Sequence, residues 1–95
     1  MVFEWDDEKE KLNILKHGID FRTASRVFFD EARIENYDKE HSISEDRYIV
    51  IGKVHEVLFV VYTERKENIR LISARLATAQ ERRLYYDSNV FPFQG

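Results

Sequence analysis

Apolar residues recur along this chain with two periods, and the change from one to the other divides it near residue 32. Phe3-Glu4-Trp5 reads as a short strand. Asp6 or Asp7 then caps a helix with acids in its first turn, Lys16 and His17 in its last and Gly18 just beyond, the charge order that a helix dipole favours. Its apolar stripe is expected at Leu12, Leu15 and Ile19, spaced i, i+3 and i+7. Asp20 caps a second helix, with Phe21, Ala24 and Phe28 on one face and Val27 beside them, ending near Asp30.

From Ala32 the pattern alternates. Segments 32–37, 47–53, 57–65 and 69–76 are rich in Ile, Val, Tyr and Phe and read as strands, with connections short enough for an antiparallel meander. A three-residue loop, Lys66-Glu67-Asn68, sets Glu64 opposite Arg70 and Tyr62 opposite Ile72, pairing opposite charges. One face then carries Tyr48, Val50, Leu58, Val60, Tyr62, Ile72, Ala74 and Leu76 and is expected under the two N-terminal helices. The other carries Ile49, Ile51, Phe59, Val61 and Leu71, but also Arg47, Thr63, Arg65, Ser73 and Arg75. A last helix, 78–86, has Thr78 as N-cap and Glu81 at capping-box spacing, and is expected to cover part of that second face and leave its arginines along an open edge. The apolar segment Val90-Phe91-Pro92-Phe93 is expected to fold back over the core. The fold class is α+β.

Composition narrows the picture. Ninety-five residues, 43% of them hydrophobic, make one domain with one real core, taken as 3–86 followed by a tail, 87–95. Cysteine is absent, which removes disulfides and thiolate metal sites and fits a reducing compartment. The first residues lack the basic flank and apolar run of a signal peptide, and no segment approaches the roughly 20 apolar residues of a membrane span, so a cytoplasmic protein is expected. The net charge of −3 argues against general nucleic-acid binding. That charge is uneven: 8 basic against 13 acidic residues in 1–48, and 7 against 5 in 49–95.

His17, His41 and His55 lack metal-ligand spacing, there is no G-x-S-x-G elbow, and three glycines are too few for a phosphate-cradling loop. What remains is Arg, Lys, His, Glu, Ser and Tyr, with four arginines between Arg70 and Tyr85. That inventory suits metal-free RNA cleavage, in which the ribose 2′-hydroxyl is the nucleophile and the protein supplies alignment, charge and two proton transfers. Each candidate also has a structural explanation. Arg70 can pair with Glu64, Arg65 can be solvated beside its turn, Arg82 and Arg83 can form a wet helix face, and Tyr85 or Tyr86 can be core. Lys16 and His17 complement a helix C-terminus. Ser42-Ile43-Ser44-Glu45 has capping-box spacing but precedes a strand, so a local loop bond is its alternative. Arg75, on a strand among apolar neighbours, needs a partner in either case.

Three segments taken together resemble a known family. They are Phe3-Glu4-Trp5-Asp6 with Asn13-x-x-Lys16-His17-Gly18 and Phe21-x-x-Ala24-x-x-Val27-Phe28-x-Asp30; Asp38-x-x-His41-Ser42-x-x-Glu45-x-Arg47 with Ile51-Gly52; and Thr63-x-Arg65 with Arg70-x-Ile72-Ser73-Ala74-Arg75-x-Ala77-x-x-x-Glu81-Arg82-x-x-Tyr85. In order and spacing they look like the BrnT family of type II toxin–antitoxin toxins. The resemblance implies a RelE-like ribonuclease fold and a metal-independent, cofactor-free RNase that blocks translation. It further implies neutralisation by a BrnA-like antitoxin, a ribbon-helix-helix DNA-binding protein through which the complex reaches operator DNA. The same resemblance points to Lys16, His17, Glu45, Arg47, Arg65, Arg75, Arg82 and Tyr85 as site residues. Arg65, Arg75 and Arg82 are then phosphate contacts, Glu45 or His17 the proton acceptor, and Lys16 or Tyr85 the donor. A non-catalytic RNA- or protein-binding module acting as co-repressor is the alternative that these residues leave open.

Overall fold

The computed structural model describes residues 1–88, and the apolar segment at 90–93 lies outside them. Strand β1 (Val2–Glu4) leads into α1 (Asp7–His17), whose cap Asp6 accepts the Lys9 N–H at 3.0 Å. Gly18, at φ 72°, closes the helix in the left-handed region, its N–H returning to the Ile14 carbonyl. Asp20 caps α2 (Phe21–Ser25) through Thr23 N–H, and the chain continues as a 3-10 turn, Arg26–Phe29. Four strands follow, β2 (Ile34–Tyr37), β3 (Tyr48–Val54), β4 (Glu56–Arg65) and β5 (Asn68–Leu76), and then α3 (Ala79–Ser88). Among the described residues no helix is long and apolar enough to cross a membrane.

The sheet has the order β1-β5-β4-β3-β2. β2 to β5 form the expected antiparallel meander, but β1 adds itself parallel to β5, with Glu4 opposite Arg70. That register corrects the expected Glu64–Arg70 pair: Arg70 bonds Glu4 at 2.8 Å and lies opposite Thr63. The β4–β5 turn is also shorter than expected. Arg65 pairs with Asn68 across Lys66 and Glu67, with Lys66 at φ 58°.

A bulge then restores the longer register. Tyr62 faces Leu71, but Val61 faces Ser73, so Ile72 is an extra residue in β5. Because strand side chains alternate, one inserted residue reverses every face beyond it. Leu71 and Ala74 therefore both point to the helix side, whereas Ser73 and Arg75 point to the other. The expected faces of Leu71 and Ile72 are thereby exchanged.

The helix-side core joins Phe21, Ala24, Val27 and Phe28 to Val50, Leu58, Val60, Tyr62, Leu71 and Ala74. Burial of each large side chain here stabilises the fold by roughly 1.5–3 kcal/mol. Gly52 lets the 3-10 turn approach: a Cβ there would lie 3.0 Å from Val27 Cβ and 3.1 Å from its carbonyl oxygen. A second cluster, Ile51, Val57, Ala77 and Tyr85, fills the space between α3 and the opposite face of the sheet.

Helix α1 departs from its expected stripe. Leu12 and Leu15 point to solvent, 65% and 85% exposed, and the buried residue is Asn13. Its amide bonds both backbone groups of Ala74, accepting from N–H at 3.0 Å and donating to C=O at 2.9 Å. β1 pairs with β5 only over Asn68–Arg70, so at Ala74 the strand has an open side that Asn13 closes. A polar residue satisfying buried backbone holds α1 down where the leucines were expected to.

Candidate active site

The loop between β2 and β3 is stitched from its own residues. Ser42 Oγ donates to the Asp38 carbonyl at 2.6 Å and accepts Arg47 N–H at 2.8 Å, while Asp38 N–H donates to the Arg47 carbonyl at 2.8 Å. Ser42 thus makes a loop bond rather than a helix cap. Thr63 of β4 ties the loop to the sheet through its hydroxyl and the Asp46 carbonyl. Held this way, the loop borders an open cleft of about 420 Å³ on the sheet face opposite α1. Ile49, Phe59, Val61 and Ile72 form its apolar floor, and Arg47, Arg75, His41 and Ser73 supply polar groups.

Arg75 has the partner that its position demands. Its guanidinium makes two bonds to Glu81, at 2.8 and 2.9 Å, donates to the Leu76 carbonyl and lies 4.0 Å from the Phe59 ring centroid. Glu81 also accepts Thr78 N–H at 2.8 Å, while its own N–H bonds Thr78 Oγ1, so the α3 capping box and the Arg75 clamp share one carboxylate. The Arg75 guanidinium holds that carboxyl below its ordinary range, against the opposing effect of burial.

Arg47 lines the same cleft and makes no ion pair among the described residues. His41 stands nearby with Nδ1 2.8 Å from Asp38 Oδ2. A carboxylate accepts and does not donate, so Nδ1 carries the hydrogen and Nε2 is left to act as base or, once protonated, as acid. His41 was not among the expected site residues. The signal was present as Asp38-x-x-His41, a spacing that lets a carboxylate orient an imidazole. Asp38 and Glu40 also line the cleft and oppose its positive charge.

The remaining expected residues lie elsewhere. Glu45 and Arg65 form an exposed 3.5 Å pair where the loop meets the end of β4. Lys16 and His17 end α1 on the helix-covered face, across the sheet from Arg75. Arg82 donates to the Ala77 carbonyl at 2.9 Å and borders a different cleft, with Lys53, His55 and Tyr86. Tyr85 is buried, and its hydroxyl donates to Asp30 Oδ2 at 2.6 Å. Burial and that acceptor push the phenol well above its ordinary value, which makes it a poor proton donor. Burial pushes the Asp30 carboxyl up, but the Tyr85 hydroxyl and the N–H groups of Lys53 and Ala32 outweigh it and the net shift is down. The eight residues therefore do not converge on one patch. Arg47 and Arg75 share the cleft, Glu45 and Arg65 sit at its loop, and the others are apart.

An α+β layer fold with two guanidiniums and an oriented imidazole over an apolar floor has the chemistry of a protein that handles phosphate esters. The family described as "Ribonuclease toxin, BrnT, of type II toxin-antitoxin system" matches residues 5–81, and the chain belongs to that family. Among solved structures it is similar to the ribonuclease toxin BrnT of Brucella abortus, with a TM-score of 0.62 and 24% identity over 82% of this chain and 99% of that one. At that identity the likeness speaks for the fold. No curated protein sequence matches the chain.

Proposed function

We propose that the protein is a metal-independent endoribonuclease toxin that cuts single-stranded RNA by 2′-hydroxyl attack in the Arg47–Arg75 cleft. The observation that carries this reading is the joint presence there of a guanidinium without an ion pair, a second clamped by Glu81, and a histidine held by Asp38. The apolar floor takes a base or ribose. Arg47 and Arg75 meet the charge that develops on the phosphorane, which arginine forks match in geometry. His41 Nε2 moves a proton at the 2′-hydroxyl or the leaving 5′-oxygen, and Glu40 is the cleft-lining carboxylate able to move the other. The products are a 2′,3′-cyclic phosphate and a 5′-hydroxyl. In this reading Lys16, His17 and Tyr85 leave the catalytic set, and Glu45 and Arg65 position the loop.

The family assignment brings an antitoxin partner and an RNA target. We take the partner to be BrnA-like, to lay an acidic segment over the same cleft, and to be the route by which the complex reaches operator DNA. The compartment is the cytoplasm, where translation supplies the substrate. Purified, antitoxin-free protein incubated with RNA in EDTA tests the enzyme. Fragments ending in cyclic phosphate are expected, and none from an oligonucleotide whose scissile residue is 2′-deoxy. Retarded but intact RNA would establish the non-cleaving module instead.

A further inference from the structure

At the other end of β3 the molecule carries a cationic surface that the cleft does not use. The link between β3 and β4 is the single residue His55, at φ 64°, and two of the clefts that adjoin it carry cations. One, of about 590 Å³, takes Arg26 and Phe29 from the 3-10 turn; the other, of about 290 Å³, takes Arg82 and Tyr86 from α3. Lys53 and His55 belong to both. Arg26, Lys53 and Arg82 make no ion pair among the described residues. Two acids lie close by. Asp30, held ionised by the Tyr85 hydroxyl and the N–H groups of Lys53 and Ala32, lines the first cleft and Glu56 the second, so three cations face two carboxylates.

Aromatic rings stand among these cations. Phe29 is 69% exposed and Tyr86 47% exposed, and Lys53 Nζ lies 5.8 Å from the Tyr86 ring centroid. Cations interleaved with exposed ring faces suit single-stranded nucleic acid, whose phosphates need charge and whose bases need a surface to stack on. An acidic peptide would use the cations and leave the rings unexplained.

We propose that this surface is a second RNA subsite, holding the strand that flanks the bond being cut; the assignment rests on the ribonuclease reading. Ile49 in the cleft and Lys53 at the subsite are four residues apart on β3, roughly 13 Å at about 3.3 Å per residue, and because α3 packs over Ile51 between them, a strand of several nucleotides that passes around that helix joins the two. Arg82 thereby gains a function outside the catalytic cleft.

The test uses the full chain and 2′-O-methyl RNA, which binds without being cut, measured by fluorescence anisotropy across a salt series. An R26A/K53A variant and a separate Phe29→Ala variant are compared with wild type on a dinucleotide and on a strand of about ten nucleotides, within the usual footprint of such sites. The double variant is expected to lose about tenfold in affinity for the long strand, with a salt slope shallower by roughly 1.4 for two lost phosphate contacts, and nothing for the dinucleotide. Phe29→Ala should weaken the long strand without changing the slope. Wild-type affinity and slope in the variants would overturn the subsite, and so would variants that lose a protein partner while binding RNA normally. The two readings fail separately. Patch-dependent binding by a protein that cleaves nothing retires the nuclease and leaves the surface an RNA site, whereas normal cleavage with patch-independent binding retires the subsite alone.

Discussion

Glu81 serves two structures with one carboxylate: it caps α3 and clamps Arg75. A Glu81→Gln variant keeps the shape but loses the charge, and is expected to destabilise the fold by about 1.5–3 kcal/mol, the range for a hydrogen bond to a charged group. Because Arg75 depresses this carboxyl, the unfolded chain takes up the proton first. The stabilisation is therefore complete above the ordinary value of 4.5 and is lost as pH falls through the lower folded value. Urea midpoints of wild type and variant should converge below pH 4.5, and a gap that widened in acid would contradict the clamp. Tyr85→Phe has a different signature. It removes a donor from Asp30 and should cost about 1–3 kcal/mol in thermal unfolding, with RNA cleavage by the folded fraction unchanged. The need of Arg75 for a partner was legible, because a half-buried guanidinium on a strand cannot stand alone. His41 was only half legible: the Asp38-x-x-His41 spacing was there, but an exposed histidine in a polar loop acquires meaning only from the cleft that the loop borders.

At the scale of elements the caps, strands and α3 capping box could be read because each rests on neighbours in sequence. The orientation of α1 could not. Leu12 and Leu15 at helical spacing suggested a buried face, yet the helix docks through Asn13. Asn13→Ala should leave both polar groups of Ala74 without their partner, at about 1–3 kcal/mol each. Leu15→Ala, at a position 85% exposed, should change little. Paired denaturation curves check this, and a larger loss for Leu15→Ala would restore the leucine face. The Ile72 bulge was equally invisible, since a one-residue slip depends on partners elsewhere in the sheet. It decides where Arg75 lies all the same: without the extra residue Arg75 would point under the helices instead of into the cleft.

Across the whole molecule the acidic balance conceals an arginine-bearing cleft on the sheet face opposite α1 and a cationic surface at the far end of β3, with α3 between them. Resemblance to the family supplied eight residues without their places, and the fold distributes them among the cleft, its loop, the second surface and the far side of the sheet. Only coordinates could make that division, because the strands bring together residues far apart in sequence. The most direct measurement compares initial RNA cleavage rates, in EDTA, of wild type, Arg47→Ala and Lys16→Ala, each shown by circular dichroism to be folded. Arg47→Ala is expected to lose about 100-fold or more, the usual effect of removing one transition-state donor, and Lys16→Ala to cut at close to the wild-type rate. A folded Arg47→Ala enzyme of undiminished rate, or a Lys16→Ala enzyme without activity, would place the chemistry outside the cleft.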